Sequence, residues 1–111
     1  MSRDWRLSAD DAIEACGKIR RFLHGMSYEA FVADDRTRDA VIRNLEIIGE
    51  VAKNLPVDVT SRAPQIEWRK VRGMRDVLAH AYFGVDVRFI WNTATTKIDE
   101  LEAAVRSLLD E

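Results

Sequence analysis

Between Arg38 and Leu55 the chain reads RDAVIRNLEIIGEVAKNL, and this run constrains the fold more than any other. Its apolar positions, Val41, Ile42, Leu45, Ile47, Ile48, Val51, Ala52 and Leu55, recur at helical spacing but are too many for one narrow stripe. A helix with so wide an apolar surface packs against more than one neighbour and belongs near the centre of whatever it joins. Gly49, in its interior, costs about 1 kcal/mol of helix propensity relative to Ala. Close approach of another helix is the usual compensation, and a second subunit is one candidate for that neighbour.

The flanking sequence reads as more helices. Ser8, followed by Asp10 and Asp11, suits an N-cap with acids in the first turn. Leu7, Ala12, Ile13, Cys16, Ile19, Phe22 and Leu23 then keep a helical period to His24 and Gly25, a last-turn cation and a left-handed cap. Ser27 can cap a short helix from Tyr28 to Ala33, and Asp34 or Asp35 can cap the long third one, which Pro56 stops. After a loop of prolines and polar residues, a fourth helix is expected from Ile66 to about Phe83, broken near Gly73, with Trp68, Val71, Met74, Val77 and Leu78 buried. Gly84 ends it. Asp86 caps a last helix whose apolar line is Ile90, Ala94, Ile98, Leu101, Val105 and Leu108. No segment alternates with period two, so the expected fold class is all-α: an antiparallel bundle of about four to five helices in a single domain, residues 1–111.

Composition narrows the function. The chain has a net charge of −2 at neutral pH, so no global basic field draws it to nucleic acid and any such binding needs a local patch. The single cysteine, Cys16, can neither staple the fold nor form a cysteine-based zinc cluster, which suits a reducing, cytoplasmic setting. Charges interrupt the N-terminus before an apolar run forms, and no stretch approaches a membrane span. With two histidines 56 residues apart, no metal site is expected. No phosphate-binding glycine loop or activated serine is present, and no cofactor is expected. Cys16 falls on an apolar face, which makes it a poor nucleophile.

One stretch remains, RDVLAHAY, which places Arg75, Asp76, His80 and Tyr82 within eight residues. On a helix Asp76 and His80 are neighbours at i and i+4, so the carboxylate can orient the imidazole. Arg75 and His80 lie about 140° apart on an ideal helix. They reach one atom only if the helix unwinds near His80 or if a second copy brings its own pair, and a two-fold axis beside this helix is the simpler solution. Arg and His without a metal suit phosphodiester cleavage in RNA: His serves as base for the 2′-hydroxyl and acid for the leaving oxygen, and Arg stabilises the charged transition state. Upstream, WRKVRGMR gathers Arg69, Lys70, Arg72 and Arg75 as a local basic run that can hold a polyanion. The same residues fit an ion pair or cap at a helix end, set on a solvated face.

The spacing Arg75, four residues, His80, one residue, Tyr82 resembles the signature of HEPN-domain toxins of the HepT-like branch. DWRL at the start, GMSYEAF, RDAVIRNLEIIGEVAKNLP, EWRKVRGMRDVLAHAYFGVD and a final helix near Trp91 are similar to that family in order, over essentially the whole chain. The resemblance implies a helical bundle that forms a homodimer with its motif helices facing across a cleft, and a metal-independent ribonuclease acting as the toxin of a type VII toxin-antitoxin pair. Arg75 and His80 would be the catalytic pair, with Arg72 and Asp76 supporting the site or its substrate. Tyr82 would be the residue to which a partner antitoxin, a minimal nucleotidyltransferase, adds adenylate groups. Many relatives carry Asn where this chain has Asp76, and a carboxylate beside a substrate phosphate adds repulsion. The alternative expectation is a HEPN subunit without catalysis that binds its nucleotidyltransferase or a nucleotide.

Overall fold

The computed structural model describes residues 4–84 and 86–110, with side chains for 4–80 and 86–110. The first helix, α1, spans Trp5–Leu23 and starts a full turn before Ser8: Asp4 is its N-cap, accepting from the Arg6 backbone N–H at 3.0 Å. Ser8 is therefore not a cap. It lies buried inside α1, and its Oγ has no hydrogen-bond partner among the described residues. The earlier start lets Ser8, Ala9, Ala12, Ala15, Cys16, Ile19 and Leu23 form one buried stripe, and its small residues let α1 lie close against its neighbours. His24 ends the helix and Gly25 follows at φ +72°, the left-handed turn that the sequence announced.

Ser27 caps α2, Tyr28–Ala33, by accepting from the Ala30 N–H at 3.1 Å, and Asp34 caps α3, Asp35–Asn54, by accepting from the Thr37 N–H at 3.0 Å. The α3 helix is central. It contacts α1, α2, and two later helices, α5 (Trp68–Arg72) and α6 (Met74–Gly84), and its apolar positions are buried apart from the half-buried Ile47. The width of its apolar surface is thus largely used within one chain. Gly49 shows this directly: a Cβ there would lie 3.3 Å from the Val71 carbonyl oxygen and 3.6 Å from Met74 Cβ. The close neighbour of Gly49 is the α5–α6 junction of its own chain, and no second subunit is needed to explain that glycine.

The stretch after Pro56, expected as loop, contains one short helix, α4 (Val57–Thr60). The Pro56 carbonyl accepts from the Val59 and Thr60 N–H groups at 3.0 Å, and both of those side chains are buried. Trp68 is buried, and its indole N–H donates to the Ala63 carbonyl at 3.0 Å, which ties the α4–α5 connection to α5. The expected fourth helix is broken at Gly73 into α5 and α6. Gly73 ends α5 by donating to the Arg69 carbonyl at 3.1 Å and starts α6 by accepting from Asp76 and Val77 at 3.2 and 3.3 Å. Val77 was expected in the core but is 45 % exposed. The inward stripe of α6 runs through Met74 and Leu78, one turn apart, and Val77 lies about 100° off it.

The last expected helix is two helices joined by a wider turn. Asp86 caps α7 (Val87–Asn92), accepting from the Phe89 N–H at 3.0 Å; residues Thr93–Lys97 form a π-turn; α8 follows over Ile98–Leu109. All six residues of the expected apolar line are buried. Successive steps of four from Ile90 to Ala94 to Ile98 would drift by about 40° each on an ideal helix, and a π-turn absorbs that drift. Thr95 and Thr96 donate their hydroxyls to the Trp91 and Asn92 carbonyls, the back-bonding that bends helices. Tyr28, Phe31 and Trp91 pack as aromatic pairs, with ring centroids 5.9 Å apart for Tyr28–Trp91 and 5.2 Å for Phe31–Trp91, and join α2 to α7. Among the described residues the architecture is entirely helical, and no helix is long and apolar enough to cross a membrane.

Candidate active site

Arg75, Asp76 and His80 all lie on α6 and all are exposed. They face outward because Leu78, 1 % exposed, and the half-buried Met74 occupy the inward stripe, so the polar positions have nowhere to go but the surface. Continuous α-helix from Met74 to Gly84 carries the chain through His80 without unwinding. Arg75 and His80 of one chain therefore remain about 140° apart around the axis. Asp76 shares a stripe with His80, one turn away. The backbone of Tyr82 belongs to α6; its side chain is outside the described residues.

The partner of Arg75 comes from α3. Its Nη1 donates to Glu50 Oε1 at 3.4 Å, and Lys53 Nζ lies 3.7 Å from that same oxygen. Arg75 is 62 % exposed and Glu50 49 %, so the pair is weak and its arginine is accessible to an anion. No local signal in the sequence marked Glu50 or Lys53. They sit 25 and 22 residues before Arg75, and only the packing of α6 across Gly49 brings them to it.

The basic run divides on folding. Arg72 turns inward: its Nε donates to the Ala52 carbonyl at 3.4 Å and its Nη2 to Thr60 Oγ1 at 3.3 Å, so it braces α5 against the end of α3 and against α4. Lys70 pairs with Glu67 at 3.0 Å, and Arg69 is exposed. The polyanion-facing charge on this segment is thus smaller than the sequence suggested.

Beside α6 lies an open groove of about 620 Å³, walled by Leu45 and Ile48 of α3, Met74 and Val77 of α6, Phe89 of α7 and Leu101 of α8, with Lys70 and Lys97 among its polar lining. Val77, three residues before His80, places an exposed apolar side chain next to the motif surface. Cys16 is far from such a role: burial pushes its thiol up to about 12, and Sγ faces the Ile98 carbonyl at 3.9 Å. Among the described residues no three metal-ligating side chains cluster.

An exposed arginine and an exposed histidine thus stand on one unbroken helix seated on α3, side chains of the kinds that donate hydrogen bonds to phosphate oxygens. Comparison with known proteins meets this geometry from outside. A probable ribonuclease HepT of Thermococcus cleftensis is 44 % identical over 108 residues, covering 97 % of this chain and 98 % of that protein. A candidate RNase of Caldanaerobacter subterraneus is 40 % identical over 99 residues, covering 89 % and 88 %, and one of Methanocaldococcus jannaschii is 36 % identical over 113, covering 98 % and 93 %. No solved structure matches the chain. The family described as ribonuclease HepT-like matches residues 12–108, nearly the whole helical bundle with α6 inside it, and the chain belongs to that family.

Proposed function

We propose that this protein is a metal-independent endoribonuclease, the cytoplasmic toxin of a toxin-antitoxin pair, active as a homodimer in which Arg75 and His80 of two facing α6 helices share one cleft. The observation that carries this reading is the unbroken course of α6 through both residues. One helix cannot aim the two side chains at one phosphate, whereas two helices related by a two-fold axis can. Exposed Val77 and the adjoining groove give α6 an apolar margin suited to such a contact.

In this mechanism His80 takes the proton from the ribose 2′-hydroxyl, which attacks the adjacent phosphorus. A protonated His80, from the other copy, supplies the proton to the departing 5′-oxygen, leaving a cyclic phosphate. Arg75 donates to the nonbridging oxygens, whose charge grows in the transition state. Asp76 orients His80 along their shared stripe, and Arg72 supports the site by bracing α5 from within. A partner nucleotidyltransferase silences the enzyme by adding adenylate to Tyr82, which puts bulk and negative charge beside the cleft and repels RNA.

The test is incubation of purified protein with mixed cellular RNA in EDTA beside a His80→Ala sample. Cleavage by the wild type alone, with cyclic-phosphate ends, is expected; equal cleavage by both removes His80 from the mechanism. A monomer by light scattering at micromolar concentration removes the composite cleft. Coexpression with the nucleotidyltransferase should raise the intact mass by adenylate units, and Tyr82→Phe should stay unmodified. A second reading, a subunit that docks the nucleotidyltransferase without cutting RNA, draws on one observation: two carboxylates flank the motif, Glu50 paired with Arg75 from α3 and Asp76 exposed next to Arg75 in sequence. It predicts folded protein that cuts no RNA and does not arrest growth when expressed alone.

A further inference from the structure

We infer that Glu50 is the positioning residue of Arg75, and that Lys53 is the second cation that keeps Glu50 neutralised when Arg75 turns to a phosphate. The inference rests on the proposed cleavage reaction. Consecutive residues of α3 act on Arg75 in two ways. The site of a missing Cβ on Gly49 lies 3.9 Å from the Arg75 backbone nitrogen, which fixes where the residue starts, and Glu50 Oε1 receives its guanidinium at 3.4 Å, which fixes where the side chain points. Without Glu50 a four-torsion side chain on an exposed helix face samples many rotamers, and ordering it again costs side-chain entropy at the moment of reaction.

The strength of the hold matters as much as its direction. Both partners are about half exposed, so the pair is weak. A phosphate offers the guanidinium two oxygens in place of one and displaces Glu50 readily. The released carboxylate would then repel the RNA backbone, but Lys53 already sits 3.7 Å from the same oxygen, on the next turn of α3, and stays with it.

Two effects of opposite sign follow, and a purely structural role would produce neither. In full-length protein assayed on single-stranded RNA, Glu50→Ala should lower kcat by about tenfold or more, because Arg75 is no longer aimed, and should also lower KM, because a negative charge has left the site. Glu50→Gln should recover most of kcat, since its amide oxygen still accepts from Arg75, and keep the lowered KM. Lys53→Ala should raise KM, because Glu50 is left uncompensated near the phosphate. A wild-type kcat in Glu50→Ala, or a KM that rises with the loss of kcat, overturns the role of Glu50. An unchanged KM in Lys53→Ala overturns that of Lys53. If Glu50→Ala fails to fold, the KM of Glu50→Gln decides, and a value at or above wild type overturns the role. In all these cases wild-type cleavage stands, whereas wild-type protein that neither binds nor cuts RNA overturns the nuclease reading and this one with it.

Discussion

The packing of α1 on α3 and α8 and the seat of α6 on α3 are built differently. In the first, α1 buries a seven-residue stripe and α8 buries Ile98, Leu101, Ala104, Val105 and Leu108. Arg20 bridges α1 to α8 through Asp99 and Glu102, each at 2.6 Å. In the second, Leu78 is the one fully buried side chain among those described from Met74 to His80; half-buried Met74, the Gly49 contact and the Arg75–Glu50 pair join it, and Arg72 braces the preceding α5. The difference separates the part of the molecule built by burial from the part that carries the motif. The bundle is held by burial spread over many residues, whereas the described side chains of the motif helix rest on a few contacts close to Arg75.

The largest effect expected separates the two regions by truncating one leucine in each. Leu45→Ala, in the middle of α3, should cost about 2–5 kcal/mol and lower the unfolding midpoint of the whole domain. Leu78→Ala removes a side chain of the same size, but its main consequence should be local. Hydrogen exchange of α6 amides should rise to far above that of α1 and α3, and RNA cleavage should fall while the bundle remains folded. Uniform loss of protection across all helices in Leu78→Ala would show that α6 is part of the cooperative core and would end the contrast.

Gly49→Ala tests the seat itself. The new methyl lies 3.3 Å from the Val71 carbonyl, a backbone atom at a junction and not a flexible side-chain end, so α5 and α6 must shift by a few tenths of an ångström. Overpacking of about 1–3 kcal/mol is offset by about 1 kcal/mol of helix propensity, so a net loss of about 0–2 kcal/mol is expected. Cleavage should suffer more than stability. A stabilised Gly49→Ala with full activity would mean that the α3–α6 distance does not set the site.

Comparable in size is Arg72→Ala, which removes two long, part-buried hydrogen bonds to the Ala52 carbonyl and Thr60 hydroxyl and should cost about 0.5–1.5 kcal/mol. If Arg72 is a brace, the RNA affinity of the folded variant keeps the salt dependence of wild type. If it touches phosphate, the slope of log affinity against log salt falls by about 0.7, the loss of one contact to single-stranded RNA.

These contacts also explain what the sequence could and could not reveal. Ser27, Asp34 and Asp86 were legible as caps because capping is a contact between residues two or three apart. Ser8 misled because Asp4, one turn earlier, offers the same chemistry and the apolar stripe extends to it. The π-turn was invisible, since steps of four residues suit a helix until its drift is summed. That Arg75 and His80 share one helix was legible from their spacing, but their surroundings were not. The Glu50 pair, the Gly49 seat and the inward turn of Arg72 each join residues 12 to 26 positions apart, and only tertiary packing makes those neighbours.

The smallest effect probes the other side of the comparison, where charge serves the bundle and not the site. Burial pushes the Glu102 carboxyl up, but hydrogen bonds from Arg20 and Arg106 outweigh that and hold it below its ordinary value of 4.5. A carboxylate whose folded pKa is depressed binds fewer protons folded than unfolded. Its stabilisation is complete above the unfolded value near 4.5 and is lost as pH falls through the lower folded value. Acid unfolding followed by helical circular dichroism should therefore include a contribution from Glu102 below that pH, and Glu102→Gln should flatten the acid limb. The pH profile of RNA cleavage near neutrality should not move, because Glu102 joins α1 to α8 and takes no part in seating α6. A cleavage profile that shifts in Glu102→Gln would tie the bundle's ion network to the motif helix and dissolve the division between them.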